Sequence, residues 1–248
     1  MARMNAIPLL SLILTLSVSG IAAAAANAAD NPAELQAGEQ ELETGRTSLD
    51  ERTLLVARSM FEQCLKQNQN ERCAYDLASS DSYLAQAKEA HKDNKAAEHW
   101  LDSGIEDAKR AIAMNGRSSD AHALLAELYG RKIGFGGMFA AMHYGPKANA
   151  ETQRAFELDP NNPRAYAVIG RKYLFAPKMF GGDPQKAIES FQKATSLDPH
   201  YDEAFVWLAI AYRKNGKEQE AQTALAEALR LNPQSAFAKQ VQSGAKVQ

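Results

Sequence analysis

The feature that most constrains this 248-residue chain is an internal echo: Leu158-Asp159-Pro160, Leu197-Asp198-Pro199 and Leu231-Asn232-Pro233. Each triplet closes a stretch with helical periodicity, and a proline just past such a stretch stops a helix. Ahead of the last two prolines, Ala187, Phe191 and Ala194 match Ala221, Leu225 and Ala228 at the same offsets. Beyond the first two, Ala165-Tyr166, Ile169-Gly170 and Tyr173 match Ala204-Phe205, Leu208-Ala209 and Tyr212. Spacings of three and four put these residues on one helix face, and a small residue beside a large one lets two helices approach closely. Residues 30–248 hold 36 alanines but only five valines and six isoleucines, a balance that favours helix over strand. The expectation is an all-α chain of stacked helix-turn-helix units.

On these residues the chain resembles the tetratricopeptide repeat family. The resemblance is strongest at 163–199 and 202–233, where the aromatic, Leu/Ile-Gly/Ala, Tyr, Ala, Phe/Leu, Ala and Pro positions appear in order. A weaker copy at 119–160 carries Ala121-His122, Leu125-Ala126, Tyr129, Ala148 and Ala155. Upstream, Ala57, Phe61 and Cys64 read as a second helix without its first, and 72–114 reads as a long, degenerate pair. The resemblance implies a right-handed α-solenoid of TPR-like helix-turn-helix repeats with extended intra-repeat loops. Its repeat domain spans 49–240, between a flexible segment at 30–48 and a tail at 241–248.

In this family the first helix of each pair lines a concave groove. Carried over, that implies partner-binding positions at Asp120, Glu127 and Arg131, at Arg164, Arg171, Leu174 and Phe175, and at Glu203, Ile210, Arg213 and Lys214. The basic residues gather towards the C-terminus and suit an acidic or C-terminal peptide segment. The alternative is a solvated face of mixed charge. The asparagines of the family's carboxylate clamp are missing.

The repeat positions Gln69, Gly116, Pro160, Pro199 and Pro233 are 47, 44, 39 and 34 residues apart, against a family unit of about 34. The excess falls between the two helices of a repeat, and a solenoid gathers equivalent connections on one edge. Two glycine- and proline-rich insertions, 134–146 and 175–184, read as loops, yet carry Phe135, Met138, Phe139, Met142, Tyr144, Met179 and Phe180. Either they pack on each other and seal the edge, or they form an apolar patch for a partner protein or a lipid surface. Cys64 and Cys73 flank a turn-like stretch of eight residues. In an oxidising compartment they would pair as a structural disulfide; otherwise they are two inert cysteines.

Arg3 is the only charge before Asp30, an apolar stretch runs from Ile7 to Val18, and Ala26-Asn27-Ala28 offers a small-residue exit. This is the pattern of a secretory signal peptide over 1–29, cleaved near Ala28 or Ala29, with an uncleaved anchor as the alternative. A periplasmic location follows as an expectation. A net charge of −2 with 45% hydrophobic residues excludes a generally basic nucleic-acid binder and a disordered chain. The chain contains no His-Glu-x-x-His, Cys-x-x-Cys, Gly-x-Ser-x-Gly or phosphate-cradling glycine motif, so neither cofactor, metal nor catalysis is expected. His122 falls on an aromatic packing position. The function expected is a non-catalytic scaffold of the bacterial cell envelope that binds a protein or peptide. It would be a monomer or weak oligomer without stable membrane insertion. The alternative is a periplasmic accessory subunit of a solute transporter, of the TRAP-transporter-associated helical-repeat type, with its apolar edge loops binding a ligand or partner.

Overall fold

The computed structural model describes residues 32–68 and 70–244, so the stretch expected as a signal peptide and the last four residues of the tail lie outside the described residues. Ten α-helices occur among the described residues: α1 Pro32–Ser48, α2 Glu51–Asn68, α3 Glu71–Ala90, α4 Asn94–Met114, α5 Ser119–Leu158, α6 Pro163–Phe175, α7 Pro184–Leu197, α8 Asp202–Lys214, α9 Glu218–Leu231 and α10 Ala236–Gln242. Their starts are written in the sequence. The side chains of Asn70, Asp93, Ser118, Asn162, Asp183 and Ser235 each accept a backbone N–H of the first turn, and Pro163 and Pro184 stand at first-turn positions; both devices satisfy or remove donors that have no helical partner. The Leu-Asp/Asn-Pro triplets end α5, α7 and α9.

The helices pack as antiparallel pairs, α1/α2, α3/α4, the two halves of α5, α6/α7 and α8/α9, with α10 laid on α8 and α9. First helices of successive pairs also touch, α1 on α3, α3 on α5 and α6 on α8, and the result is an all-helical solenoid. The extra length of the second repeat is taken up by long helices, 20 residues in α3 and 21 in α4.

Three expectations need correction. Instead of a flexible segment at 30–48, residues 32–48 form α1, the missing first helix of the first pair. Gly38 makes this possible: a Cβ there would stand 2.8 Å from the Phe61 ring, and Leu42 is buried on the same interface. The insertion at 134–146 is helical instead of a loop. α5 runs through it with one break, at Gly137 (φ 56, ψ −135), a left-handed conformation open to glycine. A single residue therefore turns the chain between two helices. Pro146 lies inside the second half, where it cannot donate to the Met142 carbonyl. Finally, α10 reaches Gln242, so Val241 is part of the buried cap and not of a tail. The second insertion does form a loop, with a 3-10 turn at Lys178–Phe180 and left-handed Gly181.

The chain also closes on itself. Arg46 at the end of α1 donates to Asp202 at the start of α8 (2.7 Å), while Asn232 donates to Asp202 (2.9 Å) and to the Thr47 carbonyl (3.3 Å). A disulfide joins Cys64 to Cys73 with Cα atoms 6.0 Å apart, tying α2 to α3.

Two measurements test this packing. At Gly170 an added Cβ would lie 2.8–3.0 Å from three atoms of the buried Phe191 ring. Gly170→Ala and Gly38→Ala should each lower stability by ~1–3 kcal/mol in denaturant unfolding, whereas a neutral Gly38→Ala would mean α1 is not docked. Replacing Cys64 and Cys73 with serine should cost ~2.5–3 kcal/mol on the chain-entropy account, and reductant should destabilise the parent but not the double variant.

Candidate binding groove

The inner faces of α3, α5, α6 and α8 meet around one carboxylate. Glu127 accepts Arg164 at 2.8 Å and lies 3.6 Å from Arg171; the two arginines are seven residues apart, hence on one face of α6. One turn beyond Glu127, Arg131 donates to the Ser82 carbonyl (2.8 Å), the Ser82 hydroxyl (2.9 Å) and Glu89 (2.8 Å). Trp207 donates its indole N–H to Glu203 at 3.3 Å. Burial alone would raise the carboxyl of Glu127, but Arg164, Arg171 and Arg131 outweigh it and hold the group below its ordinary range. Glu203 goes the other way: burial, then the negative charge of Glu127, pushes it up, only partly opposed by Arg171 and Arg131. Burial raises the phenols of Tyr75, Tyr83 and Tyr201, all three of which feel the positive charge of Arg164.

A second cluster continues towards the C-terminus. The Arg171 guanidinium lies over the Trp207 ring at 4.7 Å, Phe175 meets Trp207 edge-on at 5.8 Å, and the Lys214 ammonium lies over Phe175 at 5.6 Å while donating to the Leu174 carbonyl. Phe175 and Lys214 remain exposed.

The structure thus brings together Glu127, Arg131, Arg164, Arg171, Glu203, Phe175 and Lys214. Other positions implied by the resemblance have different work. Leu174 is core, and Ile210 packs against the same cluster. Asp120 accepts Asn162 at 2.7 Å in the seam between α5 and α6. Arg213 donates to the Val241 carbonyl at 2.7 Å and holds α10 in place. Tyr75, Tyr83, Tyr201 and Trp207 do not stand out in the sequence. Tyr75 and Tyr83, eight apart on α3, carry a one-face signal, but the second repeat is too degenerate to supply its register. Among the edge residues, Phe135 and Tyr144 pack against the middle core, Tyr144 stacking on Tyr129 at 5.7 Å. Met138, Phe139, Met142, Met179 and Phe180 are exposed. His122 is buried and bonds Glu151 at 2.5 Å. Among the described residues, no group of three or more His, Cys, Asp or Glu side chains is placed to hold a metal, and no helix is long and apolar enough to cross a membrane.

Removing Glu127 should leave two arginines facing each other without their shared counter-charge. Glu127→Ala is expected to cost ~3–5 kcal/mol in denaturant unfolding. Glu203→Gln should stabilise. Because folding raises this carboxyl above its ordinary value of 4.5, the cost of ionising it is absent below that pH and grows as pH rises. Glu203→Gln should therefore raise the melting temperature near pH 8. The difference should vanish at roughly pH 4.

Residues 181–243 match the pattern described as tetratricopeptide repeat. Regulator of microtubule dynamics protein 3 of Rattus norvegicus is 27% identical over 186 residues, covering 67% of this chain and 39% of the relative. The Mus musculus protein is 28% identical over 160 residues, covering 56% and 34%. The chain spans 39% or less of the length of these curated relatives. Among solved structures, TTC0263, a thermophilic TPR protein of Thermus thermophilus, superposes with a TM-score of 0.62 at 20% identity over 84% of this chain and 97% of its own. The HusA haemophore of Porphyromonas gingivalis gives 0.52 at 21% identity over 80% and 92%. Both likenesses are likenesses of fold. The helical pairs, the terminating prolines and the match at 181–243 together support a likeness to the tetratricopeptide repeat family, matched by its pattern over the C-terminal part of the chain.

Proposed function

We propose that this chain is an exported, non-catalytic scaffold of a bacterial cell envelope that holds an extended segment of a partner protein along its inner face. The observation that carries the reading is the basic-aromatic ladder of Arg171, Trp207, Phe175 and Lys214. Aromatic faces supply area at little entropic cost, and guanidinium or ammonium groups between them favour an acidic side chain or a terminal carboxylate. Extended peptides suit a curved helical array, because every repeat offers the same face to a different part of the segment. Export is supported by Arg3, the apolar run Ile7 to Val18 and the Ala26-Asn27-Ala28 exit. The Cys64–Cys73 disulfide suits an oxidising compartment.

The test uses an array of peptides carrying acidic residues or free C-terminal carboxylates, read by fluorescence anisotropy. The chain should capture a subset. Phe175→Ala combined with Lys214→Glu should weaken that capture about tenfold or more, by loss of ~1.5–3 kcal/mol, with an unchanged helical circular-dichroism spectrum showing that the variant is folded. Absence of capture from the whole array, or equal capture by the double variant, would remove the groove reading. Fractionation of cells producing the chain with a C-terminal epitope tests export separately: an uncleaved cytosolic product would contradict it.

A further inference from the structure

Nine large apolar side chains are exposed among the described residues, and five of them, Met138, Phe139, Met142, Met179 and Phe180, lie at two places. One is the start of the second half of α5, just past Gly137. The other is the connection from α6 to α7. Both are the joins between first and second helices, in adjacent repeats, and a solenoid stacks such joins on one edge. Two of the equivalent joins elsewhere are polar, His91-Lys92-Asp93 between α3 and α4 and Asn215-Gly216-Lys217 between α8 and α9, and the join between α1 and α2 is the short Leu49-Asp50.

We propose that this edge docks peripherally on an anionic lipid surface. The first reason is shape. Phe139 is 86% exposed, Met142 72% and Met179 83%. Side chains so open project outward and line no cleft. A protein partner would have to supply a fitted pocket for each, whereas the interfacial region of a bilayer yields around projecting phenylalanine and methionine side chains. Met138, Phe139 and Met142, at positions i, i+1 and i+4, share one face of a helical turn, so they enter together. The second reason is charge. No acidic residue occurs from 128 to 150 or from 160 to 182. Within these stretches Arg131, Lys132, Arg164 and Arg171 are paired with Glu89, Asp102 and Glu127. Lys147, Lys172 and Lys178 are exposed and stand in no ion pair with an acidic side chain among the described residues. Exposed lysines in the same two stretches as the apolar side chains, in a chain of net charge −2, are complementary to anionic headgroups. The same charge disfavours a second copy: an isologous contact would bring the exposed Lys147, Lys172 and Lys178 of one copy towards those of the other. The proposal is independent of the inner-face reading.

The test uses the chain from Asp30 onward, which contains the whole compact unit from Pro32 and omits the apolar N-terminal stretch. The probes are vesicles of phosphatidylcholine alone and of phosphatidylcholine with phosphatidylglycerol. The chain should co-sediment with the anionic vesicles and be released by salt. Phe139→Glu and Met179→Glu should each weaken binding about tenfold or more. Lys172→Gln with Lys178→Gln should weaken binding to anionic vesicles and flatten its salt dependence. Melting curves matching the parent would show that the exposed substitutions leave the fold intact. The proposal is overturned by absence of binding to anionic vesicles, by equal binding to both vesicle types, or by Phe139→Glu and Met179→Glu variants that bind like the parent. It is also overturned by a parent dimer in sedimentation velocity that Phe139→Glu dissolves, which would assign the edge to a second copy.

Discussion

The carboxylate of Glu127 between Arg164 and Arg171 is the interaction on which the two halves of this solenoid depend. On either side the apolar core is thick, with Leu, Phe and Trp side chains interlocked in one cluster over α6 to α10 and in two others over α1 to the first half of α5. Between them the buried apolar contact shrinks to Ala123, Ala155 and Ala165, with Phe156 packed beside them. Three methyl groups bury little area, so polar groups bridge this join. Asn162 is 1% exposed, donates to Ser119 and Asp120, and caps α6 with its own carbonyl oxygen. A buried charge set is a weak source of net stability but is costly to break. Its strength here is directional: it sets α5 against α6 in one register where alanine contacts alone would tolerate several.

Elsewhere the architecture rests on close approach. Gly38 under Phe61 and Gly170 under Phe191 repeat one device in separate helix pairs, a small residue on a first helix admitting an aromatic ring from the second. Alanines such as Ala187, Ala209, Ala221 and Ala228 are wholly buried for the same reason. Tight stacking curves the array until α1 meets α8, where Arg46, Asp202 and Asn232 form a clasp. The clasp shelters the polar interior, and with it the raised carboxyl of Glu203. The charges around Glu127 are thus neutralised by internal pairs, while Phe175 and Lys214 nearer the C-terminus remain exposed.

Glycine has opposite uses on the outer edge. Gly137 adopts φ 56 and lets one residue do the work of a whole loop. Periodicity could not anticipate this, because Gly134, Gly136, Gly137 and Pro146 are loop-forming by composition. Whether the phenylalanines and methionines nearby were sealed or open was also undecided in the sequence. The structure separates them: Phe135 and Tyr144 turn to the core, Phe139 and Met142 to solvent.

What the sequence determined by itself was the local alphabet. Helix ends came from Asp159-Pro160, Asp198-Pro199 and Asn232-Pro233, caps from Asn162 and Asp183, and the packing face from alanines beside large residues at spacings of three and four. These are short-range effects, carried by a few neighbouring residues. Only the tertiary structure decided that 32–48 is the first helix of a pair, since its weakly amphipathic sequence becomes informative only when Gly38 meets Phe61. Only it decided which groove charges cancel, since Glu127 and Arg171 are 44 positions apart and Arg46 and Asp202 156 apart. Charge pairing and burial depend on distance in space, and spacing along a helix predicts distance no further than the next turn.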